Sequence, residues 1–349
     1  MTGGAATRPP LRVATIGAGY FSQFHHAAWA AEPRVHLAAV CDSDPDRAKA
    51  FAETYGVAAS YTDPAEMLAA EAPDLVDIIT PPQTHKALIA LTTARRIPTI
   101  CQKAFCRSLE EAREAVALAA AAGTMLVVHE NFRFSPWYRE IRRLIEDGAI
   151  GMVYQASFRL RPGDGQGSRA YLDRQPYFQN MERFLVHETA IHFIDTFRYL
   201  LGEPESVYAD LQRLNPAIAG EDAGHILFRF PGGVRAHFDG NRLSDHVAAN
   251  RRFTMGELIV DGSAGTLTLD GDGRLALRPF GENEARPIAY GLSRDGFAGG
   301  AVAALQSHVV DHLLVGAPLA NTAEAYLRNL EIEDAIYRSA AEGRRLRLS

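Results

Sequence analysis

The sequence has few or none of several features that would assign the protein to a specialised class. Its 349 residues include only three cysteines, Cys41, Cys101 and Cys106, and so small and odd a number excludes a disulfide framework. The first ten residues lack the apolar segment of a signal peptide. The longest apolar stretch, residues 115–128, is rich in alanine and too short to cross a membrane. These absences predict a cytoplasmic protein with no membrane partner.

A surplus of positive charge is also absent. Lys and Arg total 36 against 42 Asp and Glu, which gives a formal net charge of −6. Because nucleic-acid binding needs clustered basic residues, the composition argues against a nucleic-acid partner. With 47% hydrophobic and 22% charged residues, the chain has the composition of a globular protein, and its length predicts two domains.

Short β-branched segments alternate with helical patterns in the first part of the chain. The predicted strands cover residues 11–16, 35–41, 75–79, 98–101 and 125–128. Asp44 before Pro45 is a typical helix start, with a capping side chain followed by proline at the first helical position. The alternation predicts a domain over residues 11–130 with a parallel sheet and helices on both faces. Residues 1–10 are expected to form a disordered tail.

The pattern changes after the first domain to longer segments in which polar and apolar residues alternate. The predicted strands cover residues 153–160, 206–214, 224–230, 234–241 and 253–260, and the predicted helices cover 136–147, 183–201 and 323–342. Turns rich in Gly, Asp and Pro separate the strands. The pattern predicts a C-terminal α/β domain over residues 131–349 with an open, mostly antiparallel sheet. One face of such a sheet needs a cover of helices or a partner subunit.

A cofactor signal stands between the first strand and the first helix. Gly17 allows the tight turn, and Gly19 lets the backbone approach a pyrophosphate at the helix N-terminus. Ser22 occupies the place of the third glycine in this fingerprint. Asp42, at the end of the next strand, is placed to accept hydrogen bonds from the adenosine ribose, which favours NAD because a carboxylate repels a 2′-phosphate. Arg47 offsets part of that preference, so NADP stays open.

The segment around His187 and His192 suggests acid–base chemistry rather than metal binding. A zinc-binding helix carries its histidines four residues apart, whereas these are five apart, roughly 140° around an α-helix. No metal is therefore predicted. Glu188 and His192 are four apart and share one face of a largely apolar helix. They form either a structural pair or a general base oriented by a carboxylate.

A stretch of 20 residues, 161–180, shows no regular pattern, and stretches of this length often belong to active sites. It and its surroundings are rich in arginine and tyrosine: Arg159, Arg161, Arg169, Arg174, Arg183, Tyr171 and Tyr177. Because arginine binds carboxylates and phosphates in a bidentate manner, we expect a polyhydroxylated substrate, such as a sugar acid or a phosphorylated polyol. The alternative is a solvated basic face.

Four short motifs occur in a characteristic order. They are Ile16-Gly17-Ala18-Gly19, Thr80-Pro81-Pro82-Gln83-Thr84-His85, Cys101-Gln102-Lys103-Ala104 and Ile191-His192-Phe193-Ile194-Asp195. With them the chain resembles the glucose–fructose oxidoreductase, inositol dehydrogenase and MocA (Gfo/Idh/MocA) family over about residues 11–349. The resemblance implies an NAD-binding Rossmann fold, a C-terminal α/β domain, and homodimers or homotetramers formed through the open sheet.

The chain departs from the pattern of this family at three positions. Gln102 and Ala104 replace the glutamate and the proline of the signature around Lys103. Glu188 replaces an aspartate four residues before His192. These departures leave the implied fold intact and bear on the reaction and the substrate.

Together with the patterns above, the resemblance implies a set of site residues. The catalytic residues are expected to be Lys103, His192 and Glu188. The cofactor is expected to contact Gly17, Gly19, Tyr20, Phe21, Asp42, Arg47, Thr80, Pro81, His85, Lys103 and Asn131. The substrate is expected to contact Arg161, Tyr177, Arg183 and His187.

These inferences predict an NAD(P)-dependent oxidoreductase that transfers a hydride between nicotinamide and a secondary alcohol of a sugar, inositol or sugar acid. Histidine suits the role of base because its unperturbed pKa lies near working pH. Lys103 would stabilise the developing alkoxide, unless it is an ordinary solvated lysine. Two alternatives stay open: a redox-assisted hydrolase or lyase of sugar derivatives that recycles its NAD, and an NAD-binding regulator without catalysis.

Overall fold

The structure is a computed structural model that describes residues 9–348. The first eight residues of the predicted N-terminal tail lie outside the described residues. The chain divides into two compact units, one of residues 9–130 and 302–327, the other of residues 131–301 and 328–348. The sequence pattern assigns everything after residue 130 to one domain, whereas segment 302–327 belongs to the first unit.

The first unit contains a six-stranded, fully parallel sheet. Up to residue 130 its elements are β1 (Leu11–Ile16), α1 (Ser22–Ala31), β2 (Val35–Cys41), α2 (Pro45–Tyr55), β3 (Ala59–Tyr61), α3 (Pro64–Glu71), β4 (Leu75–Ile78), α4 (Pro82–Ala94), β5 (Thr99–Gln102), α5 (Leu109–Ala121) and β6 (Leu126–His129). The strand order is β3-β2-β1-β4-β5-β6. This is the doubly wound order of a Rossmann fold, and the predicted fold class is confirmed.

Burial and capping explain why these segments adopt their structures. Every residue of β4, β5 and β6 is buried, as expected for a parallel sheet with helices on both faces. Asp44 accepts hydrogen bonds from the backbone N–H groups of Asp46 and Arg47 at the start of α2. Asp63 caps α3 in the same way. Such caps satisfy backbone donors that a helix leaves unpaired at its first turn.

The remainder of the chain forms a nine-stranded sheet and four helices longer than ten residues within the described residues. In chain order they are α6 (Pro136–Glu146), β7 (Val153–Leu160), α7 (Ile191–Leu201), β8 (Ser206–Gln212), β9 (Ala223–Arg229), β10 (Arg235–Asn241), β11 (Gly256–Gly262), β12 (Gly265–Leu269), β13 (Leu275–Pro279), β14 (Arg286–Ile288), α8 (Ala301–Val315), α9 (Ala323–Glu342) and β15 (Leu346–Arg347). The strand order is β14-β13-β12-β11-β7-β10-β9-β8-β15. Only β7 and β10 run parallel among the described neighbours, so the mostly antiparallel sheet is confirmed.

One face of the nine-stranded sheet packs against α7. The ring of Phe193 lies 3.9 Å from that of Phe158 and 5.4 Å from that of Phe238, centroid to centroid. Phe197 of the same helix lies 5.8 Å from Phe228. This aromatic packing fixes α7 on the sheet. Among residues 9–348 no helix has both the length and the hydrophobicity that crossing a membrane requires.

The close approach of β11 to β7 gives a test of the fold. A Cβ atom added at Gly256 would lie 1.9 Å from the carbonyl oxygen of Arg159. Gly256→Ala therefore forces the two strands apart, and we expect it to lower the free energy of unfolding by about 2 kcal/mol or more in denaturant titrations. Gly291→Ala is the control: its Cβ would meet nothing within 4 Å, and we expect a change within about 0.5 kcal/mol. Equal stability of the two variants would contradict the strand register.

Candidate functional site

Four neighbouring strands of the parallel sheet end in loops that carry predicted site residues. Gly17 and Gly19 follow β1, Asp42 follows β2, and Thr80 and Pro81 follow β4, while Lys103 follows β5. In open α/β sheets ligands bind outside the carboxyl ends of the strands, where the strand order reverses. Here the reversal lies between β1 and β4. The fold therefore brings these six residues to one edge of the sheet.

Gly17 is required by the close approach of two loops at this edge. Its φ is +115°, and a Cβ there would lie 2.8 Å from the carbonyl carbon of Ile79 and 3.0 Å from the backbone nitrogen of Thr80. No side chain fits in that space. The backbone N–H of Gly17 donates to the carbonyl of Cys41 at 2.7 Å, which ties the loop to the end of β2.

Gly19 has the opposite surroundings. A Cβ at this position would meet no atom within 4 Å, so the space beside the loop is open. Ser22 replaces the third glycine of the fingerprint and accepts the Gly19 N–H at 3.1 Å, which closes the turn from its helical side. An open space at a helix N-terminus fits a cofactor pyrophosphate.

Asp42 is held by the backbone of both neighbouring loops. One carboxylate oxygen accepts the N–H of Ala18 at 2.7 Å, and the other accepts that of Asp44 at 2.9 Å. The carboxylate is partly exposed, and its remaining lone pairs are those that would accept ribose hydroxyls. Arg47 forms an exposed ion pair with Asp44 at 3.2 Å.

His85 supports the loop after β4 through hydrogen bonds between its ring and backbone groups. One ring nitrogen lies 2.7 Å from the carbonyl oxygen of Thr80, and the other accepts the N–H of Cys106 at 3.4 Å. Burial lowers the pKa of His85 to about 4, so the ring is neutral at working pH. Thr84 donates to the hydroxyl of Thr80 at 2.7 Å. The geometry gives His85 a positioning role in the predicted cofactor site.

Aromatic rings and a lysine complete this edge. Tyr20 lies edge-on to Phe24 at 6.2 Å, and Phe21 packs against Phe24 at 5.1 Å. Lys103 begins the loop after β5, and its backbone N–H donates to the side-chain oxygen of Gln102 at 2.6 Å. The peptide bond between Lys103 and Ala104 is cis.

In the second unit, the helix predicted over residues 183–201 is not α-helical throughout. Residues Leu185–Ala190 form a π-helix, in which the N–H of Ile191 donates to the carbonyl of Val186, and α7 follows. The predicted angle of roughly 140° between His187 and His192 assumed an α-helix and was therefore wrong. The i→i+5 bonding of a π-helix places residues five apart nearly one above the other. No group of three or more potential metal ligands occurs in the described part of the chain. Single π-turns are frequent at functional sites.

His192 is buried at the start of α7, and its ring is stacked on an aromatic side chain. The ring of Phe132 lies 4.0 Å away and is parallel to within 6°. Asp195, one turn further, accepts two hydrogen bonds from Arg133, at 2.5 and 2.6 Å, and one from Asn329 at 2.8 Å. Asp195 is thus part of the support of the helix.

Three side chains from other elements hold the π-helix. Glu221 accepts the N–H groups of Phe184 and Val186 and the hydroxyl of Tyr337 at 3.2, 3.0 and 2.6 Å. Nδ1 of His187 lies 2.7 Å from the carboxylate of Glu333 on α9. Burial, then the negative charge of Glu221, raises the pKa of Tyr337 well above its ordinary value. No motif marks these supports in the sequence.

Tyr177 and Glu188, two of the predicted site residues, interact electrostatically. The pKa of Tyr177 is raised to about 12 by partial desolvation and then by the negative charge of Glu188. The Tyr177 hydroxyl accepts a hydrogen bond from Gln175 at 3.0 Å. Arg183 is half exposed and lies over the ring of Tyr337, 4.4 Å from its centroid. Asn131 is buried, and its amide nitrogen has no hydrogen-bond partner among residues 9–348.

Arg161, predicted as a substrate contact, is paired with a carboxylate of the same unit. Its guanidinium donates to the carboxylate of Asp239 at 2.6 Å and to the Asp239 carbonyl at 2.7 Å. Because side chains alternate along a strand, Asp239 lies on the face opposite to Phe238, whose ring packs against α7. Arg161 therefore neutralises a carboxylate on the far side of the sheet from His192.

Other arginines of the 161–180 segment are also paired with carboxylates. Asp164 binds Arg242 at 3.0 Å and Arg174 at 3.1 Å, and Arg169 pairs with Asp173 at 2.9 Å. The guanidinium of Arg242 is buried beneath aromatic rings. Burial by itself raises the pKa of Asp164, but the charges and hydrogen bonds of Arg242 and Arg174 together outweigh this and lower it. The segment is thus a folded loop whose arginines serve internal contacts.

Comparison with known proteins agrees with this geometry. Residues 11–130 match the model of an oxidoreductase family with an NAD-binding Rossmann fold, and residues 138–268 match that of the GFO/IDH/MocA C-terminal domain. The chain is 35% identical to a D-apiose dehydrogenase from Paraburkholderia graminis. The match covers 96% of this chain and 89% of the other protein. The chain belongs to the Gfo/Idh/MocA family. The predicted NAD-dependent oxidoreductase is thereby confirmed.

Two further proteins match the chain along nearly all of its length. A D-apiose dehydrogenase from Rhizobium rhizogenes is 32% identical over 96% of each chain. The crystal structure of an oxidoreductase from Agrobacterium radiobacter in complex with NAD+, L-tartaric acid and magnesium has a TM-score of 0.87. That protein is 30% identical, and the match covers 97% of this chain and 98% of the other.

The two glycines of the first loop allow cofactor binding to be separated from folding. Gly19→Ala places a methyl group in open space, so we expect the melting temperature without cofactor to change by no more than about 2 °C. NAD affinity should weaken about tenfold or more, because the methyl group occupies the pyrophosphate position. Gly17→Ala should lower both the melting temperature and the NAD affinity, because its methyl group meets the main chain of Ile79. Undiminished NAD affinity of Gly19→Ala in calorimetric titrations would exclude this loop as the pyrophosphate site.

Proposed function

We propose that the protein is an NAD-dependent dehydrogenase that oxidises a secondary alcohol of a neutral sugar. The observation that carries the proposal is the presence of both Lys103 and His192 in a chain 35% identical, over nearly its whole length, to a D-apiose dehydrogenase. When bound, NAD supplies the two-electron acceptor for the oxidation of an alcohol to a ketone.

The proposal assigns separate tasks to the residues of this chain. Lys103, at the carboxyl edge of the parallel sheet, holds the alcohol oxygen and stabilises the negative charge that develops there. His192 accepts the hydroxyl proton, with its ring orientation kept by Phe132. Glu188 provides a carboxylate near the substrate loop, and Gly19 and Asp42 hold the pyrophosphate and the ribose of the cofactor.

The ion pairs of the 161–180 segment favour a neutral sugar over a sugar acid. Arg161, Arg169 and Arg174 each pair with an aspartate of the same unit. Binding a substrate carboxylate would require one of these pairs to break. Arg183 is half exposed, with Asp334 at 3.8 Å, and stays the candidate contact for an acidic group.

The open face of the nine-stranded sheet supports a homo-oligomer. Leu227 and Ile259, on the face opposite to α7, are 41% and 43% exposed. They lie in one cross-strand row with Ser157 and His237, flanked by the ion pair of Arg159 and Glu257. A second copy presenting the same row would bury apolar surface and match charges.

We also propose a cytoplasmic location, because all three cysteines are buried, unpaired thiols.

The main test follows NADH formation with a panel of aldoses, inositols and aldonic acids. We expect net NADH with neutral sugars, with kcat/KM about tenfold or more above that for the matching aldonate, because the loop arginines are already paired. His192→Ala should lower kcat about 100-fold while NAD affinity is kept. His36→Ala, at an exposed position of β2, is the control and should match the wild type.

Each other result of this test has a distinct meaning. Loss of sugar without net NADH would indicate the redox-assisted hydrolase or lyase. NAD binding with neither change would indicate a regulator. Full activity of His192→Ala would remove His192 from the mechanism, and equal use of aldonates would place a free cation in the site.

Light scattering tests the proposed assembly. We expect the wild type at two or four times its 38.1 kDa chain mass. Leu227→Arg with Ile259→Arg should dissociate it, because each arginine places an unpaired charge in the apolar row. Val247→Arg, at a loop position that is 90% exposed, is the control and should leave the assembly intact. A wild-type mass of one chain would overturn the proposal.

A further inference from the structure

A buried series of hydrogen bonds lies behind Lys103, entirely within the first unit. The side-chain nitrogen of Gln102 lies 2.9 Å from Nε2 of His25, and Nδ1 of His25 lies 2.7 Å from Oδ2 of Asp77. The oxygen of Gln102 accepts the Lys103 N–H. Asp77 and His25 are wholly buried, and Gln102 is nearly so. These three side chains, Asp77, His25 and Gln102, are called the buried series below.

Donors and acceptors in this series can be arranged in only one way. A backbone N–H only donates, so Gln102 presents its oxygen to Lys103 and its NH2 group to His25. Nε2 of His25 must then accept. Nδ1 therefore carries the proton and donates to Asp77, which makes His25 a neutral ring of one tautomer. The carboxylate of Asp77 and the N–H of Lys103 thus require the same orientation of the Gln102 amide.

Burying the carboxylate of Asp77 in the middle of a sheet lowers the stability of the fold. It lies in β4 between apolar neighbours, and burial by itself raises the pKa of its carboxyl group. Interactions with His25 and His129 and the indole N–H of Trp29, 2.8 Å away, together outweigh burial and hold the pKa below its usual range. Oδ1 of Asp77 has no hydrogen-bond partner among the described residues. A buried carboxylate costs stability that an aliphatic side chain would not.

We propose that Asp77, His25 and Gln102 are positioning residues of the active site, which hold the main chain of Lys103 so that its ammonium group stays where the alcohol oxygen binds. The proposal rests on the proposed function, because it takes Lys103 as the group that binds this oxygen. It also explains the glutamine that replaces the signature glutamate. With Asp77 ionised, a glutamate at position 102 would place two carboxylates on one imidazole.

Reversing the polarity of the series provides the test. Asp77→Asn releases His25 to the other tautomer, whose Nε2–H then faces the NH2 group of Gln102. Gln102→Glu places a second carboxylate on the ring. In the double variant the glutamate accepts from both Lys103 and Nε2–H of His25, and the asparagine donates to Nδ1. Donors and acceptors then match again with one buried charge.

We expect each single variant to lower kcat about tenfold or more, because the wrong tautomer and a misplaced catalytic group both cost activity. The double variant should recover to within about threefold of the wild type, and NAD affinity should stay unchanged throughout. A second measurement does not depend on activity: hydrogen exchange of the Lys103 amide should be faster in each single variant and slow again in the double variant.

Trp29→Phe is the matched control. It removes another N–H donor from Asp77 but leaves the bonds among His25, Gln102 and Lys103 in place. We expect it to lower the melting temperature by about 3 °C without changing kcat or the exchange of the Lys103 amide. If it lowers kcat as much as Asp77→Asn at equal stability, Asp77 has only a structural role and the inference is wrong.

Failure of the inference can be told apart from failure of the proposed function. Unchanged exchange of the Lys103 amide in Asp77→Asn, or a double variant no better than the singles, overturns the inference. If exchange responds while kcat does not, positioning for catalysis is excluded. A wild type that forms no NADH from any sugar, yet shows the expected exchange pattern, contradicts the proposed function and supports the series as the support of Lys103.

Discussion

The contact between the loop after β1 and the loop after β4 is the constraint on which the candidate cofactor site depends. Gly17 touches the main chain at Ile79 and Thr80, and no side chain fits between them. This contact occurs because β1 and β4 are neighbours where the strand order reverses. Beyond this contact, the N–H of Ala18 donates to Asp42, and the space beside Gly19 is open. A groove lined by backbone and one carboxylate is what a dinucleotide requires.

Two largely buried carboxylates do much of the positioning in the second unit, and each binds more than one partner. Asp195 binds Arg133 and Asn329 below His192, and Asp164 gathers Arg174 and Arg242 in the 161–180 segment. A buried charge with one partner removed is costly, so such clusters hold the elements that carry them in one arrangement. The arginines of the 161–180 segment are engaged in the same way, with aspartates of their own unit.

Local patterns predicted much of the fold because local signals carry it. Strands β1, β2 and β7 and helix α9 begin and end at the predicted residues, since alternation, capping and glycine stops act over a few positions. The π-turn before α7 could not be predicted, because its support comes from Glu221 and α9, far away in sequence. The carboxyl-edge residues were predictable from strand ends, whereas the role of Arg161 depended on a cross-strand partner.

Asp77 shows which features of the sequence mark the buried series. In the segment Leu75-Val76-Asp77-Ile78-Ile79 it is the one polar residue of a buried strand, and Gln102 is the one amide in the motif around Lys103. Each is anomalous alone, and His25 connects them. Because hydrogen bonds have direction, an acid exchanged for an amide at one end of such a series requires an acceptor at the other end. A missing signature charge is therefore a reason to search the neighbouring buried strands for the carboxylate that replaces it.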